Sequence, residues 1–378
     1  TLLDGEKALM RWKSQIGLIL VVILTGLLVV GLVQHDDVIY RTPLGRIERV
    51  TNLKTVPQTD NFNNHDYRAK QRLQIKILNG KHRGQTVSVK NEYSGSQATD
   101  LKYRPGQTVL LHFNGTGQRV KGATILDLKR DVAITILVVI AVGLLILMRR
   151  TGIHAIVSVL LNMVLFFIAV EIDVQESGYA VLAIFSVVAV LFSAITLTLV
   201  LGWNKKMMVS LLTTLAGTFS AMLIGGLVFS LTGNGGLHFE TMEYVTQNPE
   251  PLFLAETVLG SLGAVMDEST DIIVSLAKLR KENPQISMKQ LWISGRNIGK
   301  TIMGPLLNVL FMIFMADTFS MMVLYLRNGN SWQYAFEMNM QLGFVQSLIS
   351  GIGIVLTVPI ASWLTGVFFK NKGVPTNG

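Results

Sequence analysis

Pro251-Leu-Phe-Leu-Ala-Glu-Thr-Val-Leu-Gly-Ser-Leu-Gly-Ala-Val-Met-Asp-Glu-Ser-Thr-Asp271 opens an apolar segment, residues 251 to 277, that is long enough to cross a bilayer and carries three carboxylates near its middle. A charge at that depth costs on the order of 3 kcal/mol on insertion scales, so these acids must face protein, water or ions. At helical spacing Asp267 and Asp271 share one face, and Glu268 is turned about 100° from Asp267. Gly260, Gly263, Ala264 and Ser275 fall on the Asp267/Asp271 side, a track of small residues along which another helix can approach. The stripe is therefore an interface or the wall of a pathway.

Working outward, half of the 378 residues are hydrophobic and 15% are charged, a balance that excludes an ordinary soluble globule. Eight apolar stretches have bilayer length: 15–33, 131–148, 153–172, 178–201, 207–232, 252–277, 301–326 and 343–369. The first has basic flanks and runs through Val33 without a small-residue cleavage site, so it reads as an anchor, with an uncleaved signal as the alternative. Lys and Arg mark cytoplasmic loops. They cluster at Arg149/Arg150, Lys205/Lys206, Lys278 to Lys300 and Lys370/Lys372, and they are sparse in 173–177, 233–250 and 327–342. That alternation puts both termini in the cytoplasm and residues 34–129 outside the cell membrane. The expected fold is an α-helical polytopic membrane protein of about eight transmembrane helices with a small β-barrel-like extracytoplasmic domain inserted after the first. Its divisions are 1–33 (tail and anchor), 34–129 and 130–378.

Residues 34–129 hold 16 Lys/Arg against 8 Asp/Glu and so carry nearly all of the chain's net +9. Wall polymers or lipid phosphates fit such a surface, as does a plainly solvated face; no nucleic acid is expected. With no cysteine the domain holds together by packing alone, which points to a Gram-positive type of envelope. Gly45–Val50, Arg72–Leu78, Gln85–Lys90, Gln107–Phe113 and Gly122–Leu126 alternate apolar and polar residues as strands do. Asn79-Gly80, Arg83-Gly84, Pro105-Gly106 and Asn114-Gly115 punctuate them as turns. Five short strands predict an OB-like barrel, with 52–67 as a loop. His35, His65, His82 and His112 lack metal-ligand spacing, and no metal or cofactor is expected.

After the acidic segment, Ile286–Ile293 has the pattern of a short amphipathic helix near 286–294, capped by Ser287 and lying on the inner leaflet. Gly295 to Asn308 only superficially resembles a phosphate loop, because no strand precedes it and its glycine spacing is wrong. Counting residues places Asn308 level with the zone between Asp271 and Asp267, and Arg296 or Lys300 within reach of Asp271. Asn162, Thr214 and Thr218 are further candidates to line a cavity, though for each taken singly hydrogen bonds that merely hold helices together are the better explanation. Protonation or cation binding is the natural reversible event at a desolvated carboxyl group. An ion-coupled cycle would then use Asp267 as the carrier, Asp271 and Glu268 to tune it, and Asn308, Arg296, Lys300, Asn162, Gly263 and Gly304 in support. An intramembrane aspartyl hydrolase would need Asp267 and Asp317 at one depth, and counting separates them. No Ser/His/Asp set is present, so enzyme chemistry is not expected.

Gly263-Ala-Val-Met-Asp267, Asn283-Pro284, Gly295-Arg-Asn-Ile-Gly299 and Met303-Gly304 through Asn308 resemble the YibE/F-like membrane proteins, over nearly the whole chain. Gly304-Pro305-Leu306 and the additional acids Glu268 and Asp271 depart from the usual pattern. The resemblance implies the longer, YibE-type architecture and a shorter YibF-like membrane partner, with a homo-oligomer as the other arrangement. A looser similarity links the order of segments to half of a SecD/SecF or resistance-nodulation-division protein. The expectation is an ion-coupled transporter or transport-complex subunit of the bacterial envelope. The alternative is a membrane scaffold whose outer domain binds a partner or an anionic polymer.

Overall fold

A computed structural model of the protein describes residues 2–37, 39–114, 120, 122–175, 180–242 and 248–369, with side chains from residue 16 onward. Gly115, Glu243, Lys370 and Lys372 lie outside the described residues. The chain divides into two units, residues 1–153 and 154–378.

The first unit opens with helix α1 (Leu2–Gln34). Five strands follow, β1 (Leu44–Thr59), β2 (His65–Ile77), β3 (Thr86–Ser94), β4 (Thr108–Phe113) and β5 (Ala123–Leu128), and then α2 (Asp131–Leu147). The strands form one antiparallel sheet in the order β3-β2-β1-β4-β5. The expected alternation is real: every second residue of β2 from Ala69 to Ile77 is buried. Ile47, Leu73, Ile75, Val87, Val89, Val109 and Leu111 make the core. The edge strands β3 and β5 approach within 8 Å between Cα atoms, yet no ladder joins them among the described residues. Gly80, Gly84 and Gly106 take positive φ at the expected turns, where only glycine is free of strain.

The segment expected as a loop, 52–67, is instead the far end of a long hairpin. β1 and β2 pair from Gly45–Ile77 out to Thr59–His65, and an Asp60 carboxylate accepts from the Phe62 and Asn64 amides at the tip. Its residues are polar because this arm stands in solvent on both faces, which hides the strand signal. His82 stacks edge-on against Phe113.

Helices α1 and α2 pack through small residues: a Cβ on Gly26 would sit 2.6 Å from Val139 and one on Gly143 2.9 Å from Val22. Between the strands and α2, the Lys129 ammonium, with its side chain 5% exposed, donates to the Val33 carbonyl and to Asp36 and lies 3.4 Å from Asp131. The Tyr40 hydroxyl donates to Asp131 at 2.8 Å. Burial alone lowers the Lys129 pKa, but the hydrogen bond to Asp36 and the charges of both aspartates outweigh it and raise the value. The hydrogen bond to Asp131, reinforced by burial, raises that of Tyr40.

The second unit is helical: α3 (Arg150–Gln175), which begins in the first, α4 (Val181–Leu201), α5 (Lys205–Thr232), α6 (Pro249–Glu282), α7 (Met288–Arg327), α8 (Trp332–Asn339) and α9 (Gln341–Phe368). Each expected apolar stretch falls on a helix over its described residues, give or take a residue at its ends. Six helices are long and apolar enough to cross a membrane: residues 16–34 of α1, and α3, α4, α5, α7 and α9. α2 is shorter, at 17 residues, and α6 falls outside because its acids lower its hydropathy. The amphipathic segment near 286–294 is not a separate helix. Ser287 caps it as expected, its hydroxyl accepting from the Gln290 amide, but the helix continues unbroken through 40 residues. Leu291, Gly295 and Gly299 are buried along it, because glycine lets α7 seat directly on Leu276, Ser362 and Val358.

The bundle centre is built from close approaches. A Cβ on Gly217 of α5 would stand 2.8 Å from Thr357 Oγ1 and 3.1 Å from Val265, and one on Gly353 of α9 3.0 Å from Val265.

Two expectations follow. Gly217→Val should cost about 1–3 kcal/mol of stability by overpacking, whereas Gly263→Val, with nothing within 4 Å of its Cβ, should leave thermal unfolding in detergent unchanged. Lys129→Ala should cost about 3 kcal/mol, because it strands two carboxylates. The raised Lys129 pKa makes that stabilisation complete below the ordinary lysine range and lost as pH climbs above it, so the wild-type advantage should persist from pH 6 to 9.

Candidate functional site

Helix α6 begins at an Asn248 cap with Pro249 in its first turn and ends near Arg280, whose guanidinium donates to the Gly366 carbonyl at the end of α9. Its neighbours are in register by printed contacts. Gly260 meets Gln346, Val265 meets Gly353, and Arg280 meets Gly366, so α6 and α9 run parallel. Thr214 and Ser269 share a hydrogen bond of 2.7 Å, and Gly217 meets Val265, so α5 runs antiparallel to both. Gly295 against Leu276 orients α7 the same way as α5.

The three acids separate sharply on this frame. Asp267 and Asp271 are exposed on a face that, at Gly263, has nothing within 4 Å. Glu268 is 0% exposed, and neither of its carboxylate oxygens has a hydrogen-bond partner. Among the described residues no ion pair reaches any of the three. The small-residue track is thus half covered: Gln346 closes on Gly260, while Gly263 and the two aspartates stay bare within this chain.

Arg296 and Lys300 do not reach back to Asp271. Lys300 is level with it, by the Gly295–Leu276 contact and the helical rise, but both cations are turned aside. They line a groove of about 270 Å³ with Trp292, Met303, Val355, Pro359 and Ser362. The same contact puts Gly304 level with Asp267 and Asn308 level with Gly263, a turn away from the expected position. Counting residues from an assumed span boundary caused that error, since α7 starts well before its apolar stretch. Gly304 and Asn308 are both exposed. Asn162 lies elsewhere: its amide and the Ser158 hydroxyl meet Thr196 at 2.9 Å each, clasping α3 to α4. Asp317 lines a groove with Gly260, Phe314 and Gln346, and by level it is roughly 20 Å along the bundle from Asp267.

Of the polar lining opposite α6, the sequence reading named Thr214 and Thr218 and missed Ser210, Thr213 and Thr357. Ser210, Thr213, Thr214 and Thr218 of α5 and Thr357 of α9 are buried, and the hydroxyls of Ser210, Thr213 and Thr218 have no partner. Their spacing with Gly217 and Ala221, three and four residues apart, is visible in the sequence as a stripe of small and hydroxyl residues on one helical face.

These features define a polytopic membrane protein with an acid-bearing helix at the centre of its second unit and a five-stranded sheet in its first. Residues 136–371 match the family model of the YibE/F-like proteins, and residues 38–128 match that of the YibE/F family N-terminal domain. The chain therefore belongs to the YibE/F family. No curated protein and no solved structure matches it, and the looser likeness to SecD/SecF finds no support in these comparisons.

The Thr214–Ser269 bond is the one polar link between α5 and α6 beside Glu268 among the described residues. A double-mutant cycle of Thr214→Val with Ser269→Ala, read by unfolding in detergent, should give a coupling of about 0.6–1.7 kcal/mol.

Proposed function

We propose that the protein is an ion-coupled transporter, or a subunit of a transport complex, in the bacterial cell membrane, and that α6 is its coupling element. The observation that carries this reading is the pair of exposed carboxylates, Asp267 and Asp271, within a bilayer-length segment, with no ion-pair partner among the described residues. Lipid is a poor environment for them. Water, ions or a second membrane chain must meet that face. In this reading Asp267 exchanges the coupling proton or cation there, Asp271 and Glu268 tune it, and a YibF-like partner or a second copy closes on Gly263 and Gly304.

The charge distribution supports an orientation. Contacts of Val209, Leu276, Leu291 and Leu364 gather the basic ends of α5, α6 and α7 at one end of the bundle. The Asn234–Glu250 hydrogen bond, at 2.9 Å, belongs to the other. The basic end is then cytoplasmic, and the sheet, whose order suits an OB-like barrel, lies outside. That domain's basic surface supports a second reading, a scaffold that binds an anionic polymer or a partner.

The two readings part in proteoliposomes containing the full chain and its YibF-like partner under an imposed proton or sodium gradient. Coupled transport predicts a flux that Asp267→Asn lowers at least tenfold. An equal flux in wild type and mutant, together with loss of cellular function on removal of residues 34–129, would leave the scaffold standing.

A further inference from the structure

Glu268 is unlike its neighbours in one respect: it is enclosed. It shares a helical face with Ser261, Val265 and Ile272, each buried, and lies midway between two points where α6 is packed tightly. Above it Val265 wedges between Gly217 and Gly353; below it Ile272 joins a cluster with Val209, Val358 and Ala361. By these registers Thr213 of α5 and Thr357 of α9 stand at the level of the carboxylate, with Ser210 and Thr218 about a turn to either side.

No cation from any packed element answers it. α4 and α9 contain no ionisable residue, and α5 has only Lys205 and Lys206 in its first turn. On α7, Arg296 and Lys300 line the groove against Val355, Pro359 and Ser362, which lie on the face of α9 turned away from Gly353 and Thr357. On α6 itself the nearest charges are Asp267 and Asp271, of the same sign, while the nearest cation, Lys278, is roughly 15 Å along the helix. An ionised carboxylate buried without a partner is too costly to persist. Glu268 must hold either a proton or a positive ion.

The surroundings select the second occupant as well as the first. The hydroxyls of Ser210, Thr213 and Thr218 are buried and unpartnered, and Thr357 spends its proton on the Gly353 carbonyl, leaving its oxygen free to accept. Such oxygens, gathered near one carboxylate, replace the hydration shell of a small cation. One negative charge matches one positive charge. Among the described residues no group of three His, Cys, Asp or Glu is placed to hold a metal ion, which is the arrangement a divalent ion would call for.

We infer that Glu268, with the hydroxyls of Thr213 and Thr357 and of the flanking Ser210 and Thr218, is an enclosed site for a dehydrated monovalent cation that displaces the carboxyl proton on binding. Each ion entering releases one proton, so charge is conserved in the exchange. The site deepens the coupled-transport reading and rests on it for its role, but its existence is tested without any flux.

The full chain purified in detergent is followed by thermal unfolding in NaCl, LiCl or KCl against choline chloride at equal ionic strength, from pH 5.5 to 9. The expected result is a saturable stabilisation by Na⁺ over choline, with an apparent affinity that tightens about tenfold per pH unit while the carboxyl holds its proton. Glu268→Gln, which mimics the protonated group, should fold and lose the response, and Thr357→Val should weaken the apparent affinity several-fold. Binding of ²²Na⁺ to the wild type, competed by protons, gives the same answer should Glu268→Gln fail to fold. No difference between Na⁺ and choline at any pH, or a response that survives in Glu268→Gln, overturns the site. If binding holds and the liposome flux does not, the transport reading falls while the site stands; the reverse pattern removes the site alone.

Discussion

The close approach of α5, α6 and α9 at Gly217, Val265 and Gly353 is the contact on which the rest of the second unit depends. In lipid there is no hydrophobic force to drive helices together, so backbones must come near enough for dispersion and short polar bonds to act. Glycine on two of the three helices permits it, and Val265 fills the gap. That wedge fixes the level at which Glu268 is sealed in, because the acid follows Val265 by three residues and faces the same side. Enlarging either glycine would part the helices where the carboxylate is shielded.

A second consequence is electrical. The helices that enclose Glu268 bring no counter-charge, while all three acids come from α6 alone. At the level of Glu268 the bundle offers hydroxyls and carbonyls from α5 and α9. Most basic residues gather at one end, where Arg280 caps α9 through the Gly366 carbonyl and favours the negative pole of that helix. A cation placed opposite Glu268 would have cancelled its charge permanently. On the proposed reading, the lack of such a cation among the described residues leaves the carboxylate free to exchange.

Much of the architecture was legible in the residues. Apolar runs gave the long helices, though not α8; alternation gave the five described strands, and the Ser287 and turn-glycine signals held. The polar arm of β1 and β2 escaped because period-two alternation needs one buried face, and residues 52–64 have none. The continuity of α7 escaped because amphipathic and apolar stretches look like separate elements until a glycine-lined seat on α9 joins them. The acids themselves were found at once, but their ranking was not. Asp267 was expected to be the ion carrier, with Glu268 tuning it; the structure encloses Glu268 and leaves Asp267 exposed, since which side of α6 is covered depends on α5 and α9, far away in sequence. Helical periodicity separates Asp267 from Glu268 without saying which of them faces protein.

That reversal bears on how such a helix can work. Asp267 and Glu268 are adjacent in the chain yet face different sides of α6, about 100° apart, one open and the other sealed. An ion or proton passing between them would travel across the helix rather than along it, a short distance. The seal on the inner side is made of Val265, Ile272 and glycine contacts, which are packing interactions without directional bonds. Packing of that kind resists partial movement but allows a discrete shift of one helix against its neighbours. A bundle that holds an exchangeable carboxylate behind a wall of glycine contacts has both a reason to stay closed and a structural means of opening.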